Sequence, residues 1–353
     1  MMKNQINNFN TINTQTKVRR VAYIKMIINM LSKSSYYPVS LFNKKVELEA
    51  QRYNYELLKY TNIRGIIEVT KTGNSSKPYI ETTLALKLLF FQNNMYKLSK
   101  YGKLFNILDN ELDMKTDNYF QLSVYQKSFI LYFILEEDGL YLKLLIDLIF
   151  HKKQTTIKEL KEIFQNYLIE QLQLSLHTPN ISNKIKNEIV FKISRIQNWE
   201  NPKRYLEHII EPRVNWLLDL DILDKDAFIK NRLILSKKGL VLENKLNLPF
   251  NIFTDFFTLI SQMYQTEATS KYENNFKLID NYIYKSFILF KTIAPNRVTA
   301  SQAILYTCYM MLFKEKKVVN FSTIQDYLTS KENTKFIYDW YKTEQDGSIR
   351  RKR

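Results

Sequence analysis

The chain has 353 residues, 45% of them hydrophobic, which is enough for two or three packed domains and too apolar for a disordered protein. Its 52 Lys and Arg against 35 Asp and Glu leave a net charge of +17, an imbalance that points to a polyanionic partner such as nucleic acid. A single cysteine, Cys308, excludes disulfide frameworks and Cys-rich zinc sites. With no apolar run of the roughly 18–20 residues a membrane span needs, and a polar N-terminus, the expectation is a cytoplasmic protein with no membrane partner.

Residues 1–16 read as a disordered lead-in. Over 17–33, Val21, Ile24, Ile27, Ile28 and Leu31 recur at helical spacing and predict a helix. A second helix follows Pro38 through LFNKKVELEAQRYNYELLKY. GIIEVTK and YIETT then read as strands around the turn-like TGNSSKP, leading into a helix. NNMYKLSKYGKLFNIL reads as a short strand, a capping Ser, a Gly and a helix. Helices followed by a basic-tipped hairpin make 17–121 a winged-helix-like unit, with Lys71 and Lys77 at the wing tip and Tyr53 and Lys59 close by.

Residues 122–200 are helical throughout, with Thr155 or Thr156 as a cap and Glu159 completing a capping box. NPKRYLEHII and PRVNWLLDLDIL read as two helices broken at Glu211-Pro212, followed by a hairpin in AFIKNRLILS and a helix in KKGLVLENKL. This makes 201–247 a second winged-helix-like unit. Residues 248–345 read as helical, KFIYDWYK included, and 346–353 as a basic tail. The fold class is mainly α, multi-helix, with two winged-helix-like units that carry small β-hairpin wings.

Positive charge concentrates in 1–120 and 201–353 around a nearly neutral middle, which suggests two contact regions. In the second unit Arg213 and Asn215 are the side chains able to pair bidentately with guanine and adenine edges, and Lys230 and Arg232 are wing cations. Asp219, Asp221, Asp224 and Asp226 crowd the same region and oppose a phosphate there. An alternative is a metal-dependent endonuclease with Asp224 or Asp226, Glu243 and Lys245 as a D…ExK centre. The ExK element, however, sits in a helix-like run. His151, His177 and His208 are far apart, and no phosphate-binding glycine motif occurs, so neither a metal nor a cofactor is expected.

The strings IIEVTKTGNSSKPYIETTLALKLL and PRVNWLLDLDILDKDAFIKNRLILSKKGLVL share an apolar helix ending in Leu or Ile, a hairpin, and Ser/Thr-x-x-Gly opening a helix; in the first, Thr82-Thr83-Leu84-Ala85 replaces the Gly form. The pattern resembles tandem winged-helix DNA-binding proteins, among them the recognition regions of restriction enzymes and nickases. That resemblance implies a bacterial recognition or specificity component of a restriction, phage-defence or mobile-element system, binding double-stranded DNA, with any cutting residues in a partner subunit. Plasmid replication initiators, which also pair winged helices, and an assembly subunit of a defence complex are the other readings.

Overall fold

The computed structural model describes residues 9–33, 36–60, 65–112, 120–178, 181–225, 231–265, 276–290, 296–341 and 346–352. The protein is mainly helical, with small antiparallel sheets. Among the described residues no helix is long and apolar enough to cross a membrane.

One topological unit recurs three times. In the first, α1 (Ala22–Ser32), β1 (Tyr37–Pro38), α2 (Val39–Tyr60) and α3 (Lys77–Ala85) precede the hairpin β2 (Leu89–Gln92) and β3 (Met95–Leu98), and the sheet order is β1-β3-β2. Helices α4 (Lys100–Glu111) and α5 (Val124–Glu137) follow. The second comprises α6 (Gly139–Lys152), α7 (Ile157–Leu176), an added α8 (Asn183–Gln197), α9 (Pro202–Asp219), β4 (Leu223–Lys225), β5 (Leu233–Leu235) and α10 (Lys237–Leu246). Thr155 pairs with Leu233 and so stands where β1 stands in the first unit. After α11 (Ile252–Met263) comes the third: α12 (Phe276–Leu289), β6 (Arg297–Thr299), α13 (Ala300–Phe313), α14 (Phe321–Thr329), β7 (Phe336–Tyr341) and β8 (Asp346–Arg351), in the order β6-β8-β7.

The first two units share a junction in atomic detail. Lys87 and Asp221, just past the third helix, both have left-handed backbones (φ 57° and 59°). The hydroxyls of Ser99 and Ser236 each donate to those residues' carbonyls at 2.6 Å and accept from the amides of Gly102 and Gly239. A Cβ on either glycine would lie 2.2 Å from a backbone oxygen, that of Leu88 or Ile222, so only glycine permits the helix to start this close to the strand.

Several sequence expectations shift. The first hairpin is not at TGNSSKP: that stretch is the connection into α3, and the hairpin turns at Asn93-Asn94, whose positive φ values of 51° and 60° suit a two-residue hairpin loop. The Ser-x-x-Gly of the first unit is therefore Ser99 to Gly102, not Thr82 to Ala85. Helix α9 runs unbroken through Pro212. The second unit starts at α6, inside the stretch assigned to a helical middle. FIYDWY and DGSIRR, expected as helix and basic tail, are β7 and β8, with Ile349 fully buried on the central strand. Thr156 and Glu159 form the expected capping box on α7.

The core is continuous across the units. Every residue of α13 is buried, as its all-round apolar sequence AILYTCYMMLF demands. Tyr309 packs on Phe257 of α11 and Phe129 of α5, and Tyr306 on Tyr282 of α12.

Candidate nucleic-acid interface

The stretch richest in expected contact residues is an internal clamp. Pro212 has no N–H for the carbonyl of His208, one helical turn back, and that carbonyl accepts the Thr14 hydroxyl at 2.5 Å instead. Arg213 is fully buried: Nε and Nη2 hold both oxygens of Asp138 at 2.6 and 2.8 Å, Nη1 donates to the Ile209 carbonyl at 2.7 Å, and Nη2 donates to the Ile12 carbonyl at 3.0 Å. The Trp216 indole donates to the Val18 carbonyl, and Asp219 accepts from Arg20 and from the Val21 amide. Thr16 donates its amide to His208 Nδ1 at 2.9 Å, which leaves that nitrogen without a proton, and burial lowers the pKa of His208. Residues 12–21 are thus laced along α9.

Arg213 and Asn215 are therefore corrected as base-contact candidates: the first is sealed in an ion pair, and the second is 7% exposed with its amide on the Glu211 carbonyl. Burial is forced because the N-terminal segment covers the face of α9 that a groove would have to reach.

The carboxylates of the endonuclease alternative are held apart in kind. Asp224 is exposed on β4, whereas Glu243 is buried in α10, bonded to Asn247, its pKa raised by burial and by Asp147 of α6. Glu243 and Lys245 share a helix, where residues two apart point about 200° away from each other. Asp226 lies outside the described residues, and among the described residues no three His, Cys, Asp or Glu side chains gather as for a metal.

Exposed cations lie at the entrance to the third helix of each unit, as they do elsewhere on the surface at Lys44, Lys152 and Lys184. In the first, Lys71 is exposed in the connection and Lys77 at the start of α3, in loose contact with Glu81. The buried Glu47 of α2 fixes this loop by accepting from the amides of Thr70, Ser75 and Ser76 and from the Thr70 hydroxyl, while the Ser76 hydroxyl donates to the Asn43 carbonyl. Lys71 and Lys77 stay surface cations, moved from the wing to the helix entrance. In the second unit Asn201 caps α9, Lys203 and Arg204 are exposed in its first turn, and Tyr205 stacks on Trp199 with ring centroids 5.2 Å apart. In the third, Lys314 and Lys316 are exposed and Lys317 half-buried in the connection to α14.

The hairpins also carry basic side chains. Lys97 pairs across the first hairpin with Phe90, and Phe90 and Phe91 are exposed. Arg232 is half-buried, its guanidinium 3.5 Å from Gln154, and Lys230 lies outside the described residues. Arg350 and Arg351 sit on β8. Tyr53 is half-buried on α2, and the Lys59 side chain lies outside the described residues. The residues missed in sequence, Lys203 and Arg204 above all, carried a signal: they follow an Asn-Pro helix start, where side chains of the first turn project outward around free amides.

Comparison with protein-family models, curated proteins and solved structures finds no match to this chain.

Proposed function

We propose that the protein is a nucleic-acid-recognition component built from three winged-helix-like units, binding duplex DNA and without catalytic activity of its own. The observation that carries the reading is the repetition itself: the first and third units run helix, short strand, helix, helix, hairpin with the same sheet order, the second repeats this with Thr155 as a single bridging residue and α8 added, and in each the last helix before the hairpin is entered through accessible lysine or arginine. In a winged helix that third helix is the groove-reading element; here residues 12–21 cover α9, so in the second unit the reading rests on the cations at the helix entrance, which are placed for phosphates on the groove edge and not for bases. The net charge of +17 supports it.

The test is fluorescence anisotropy with a mixed-sequence duplex at several salt concentrations. The log of the affinity should fall linearly with the log of salt, by about 0.9 per phosphate contact. Lys71→Ala with Lys77→Ala, and separately Lys203→Ala with Arg204→Ala, should each weaken binding and lower that slope by about 1–2. Affinity indifferent to salt, or unchanged in both double variants, would refute the reading.

A further inference from the structure

Between the first wing, α4 and the end of α12 lies an open cavity of about 310 Å³ whose described lining is unusual for this surface. Its polar groups are Lys97, Lys103, Asn106 and Ser32, with no carboxylate among them, and its apolar part includes Phe90 and Phe290. The volume is at the small end of the roughly 300–1,000 Å³ found for ligand sites, the scale of one small molecule and not of an extended polymer. Phe90 and Lys97 are direct partners across β2 and β3, so they share a face, and the ammonium stands 5.8 Å from the ring centroid. Phe90 keeps 40% of its surface exposed. An accessible aromatic ring flanked by two cations, an amide and a hydroxyl fits a planar base carrying a phosphate. The ring offers a stacking surface, the lysines the counter-charge, and Asn106 an edge that both donates and accepts.

We propose that this cavity receives a single unpaired nucleotide of a nucleic-acid strand bound along the wing, so that the preferred partner is a duplex with an unpaired or splayed base beside it. The inference rests on the nucleic-acid reading above and specifies its substrate.

The experiment compares the full chain on a blunt duplex and on the same duplex carrying one unpaired thymidine, by anisotropy at fixed salt. The unpaired nucleotide should tighten binding by about five-fold or more, the lower end of what base–aromatic stacking supplies. Phe90→Ala and Lys103→Ala should abolish that gain, bringing the ratio of the two affinities to about one, and Phe90→Trp should keep it. Phe91→Ala is the control: Phe91 is more exposed but pairs with Tyr96 on the other face of the hairpin, so the gain should persist. With 5-iododeoxyuridine at the unpaired position, irradiation should cross-link the peptide containing Phe90. Equal affinity for the two duplexes, or a gain that survives Phe90→Ala, overturns this proposal and leaves the DNA-binding reading standing. No binding to either duplex at low salt overturns both.

Discussion

Replacing Arg213 with Ala should be among the most destabilising single changes in the protein, and for a reason unrelated to any ligand. The guanidinium is the counter-charge of Asp138, with both side chains fully buried. Its loss leaves a carboxylate in the core whose one other bond among the described residues comes from the Ile12 amide, and removes the side-chain donor from the Ile12 carbonyl. Breaking a buried pair from one side costs about 3–5 kcal/mol, a large part of the roughly 5–15 kcal/mol that holds a domain folded. Removing both charges is different. Arg213→Met combined with Asp138→Asn leaves no orphan charge and keeps an acceptor for Ile12, so it should lie within about 1–2 kcal/mol of the parent. Urea unfolding followed by tryptophan fluorescence suits the measurement, because Trp216 packs 5.7 Å from the guanidinium and reports loss of this region. A cost below about 1 kcal/mol for Arg213→Ala, or a double variant no more stable than the single one, would refute the argument. Normal stability with lost DNA affinity would restore Arg213 as a contact residue.

Gly102→Ala and Gly239→Ala should each destabilise by at least about 1–3 kcal/mol in thermal unfolding, since a methyl would collide with backbone and not with a side chain that can swing away; equal melting temperatures would contradict the junction geometry. For His208, whose pKa is lowered by burial and by Arg204, the unfolded chain takes up a proton before the folded one. Its contribution is complete above the unfolded value of 6.5 and is lost as pH falls below it, so parent and His208→Gln should converge in stability on acidification. A stability difference that grows as the pH is lowered would reverse the sign and the assignment of Nδ1 as acceptor.

How far the sequence revealed this arrangement depends on the range of the interaction concerned. Thr156 with Glu159, the buried face from Val21 to Leu31, and Ser236 with Gly239 are local signals and read correctly. The first hairpin was misplaced because Gly, Ser and Pro in TGNSSKP are stronger turn formers than Asn93-Asn94, and what holds TGNSSKP is Glu47, a full helix away in sequence. FIYDWY became a strand because β8 lies beside it, and SIRR looked like a tail because its only visible property was charge. Arg213 and Asn215 misled most. Read alone they occupy an exposed-looking helix start, but Pro212 is interior, and the segment that buries them comes some 200 residues earlier.

That separation sets a timetable for synthesis. Arg20 and the Val21 amide meet Asp219, and Val18 meets Trp216, across 198 to 199 residues of chain. At about 5–20 residues per second a ribosome needs roughly 10–40 s to deliver α9 after the N-terminal segment has emerged. Until then the carbonyls of Ile12 and Val18 have only water to bond. The first unit can collapse early on its own helices, with Lys17, Arg19 and Arg20 tied to Tyr79 of α3, but the bonds from this segment to α9 form only once the second unit exists to receive them.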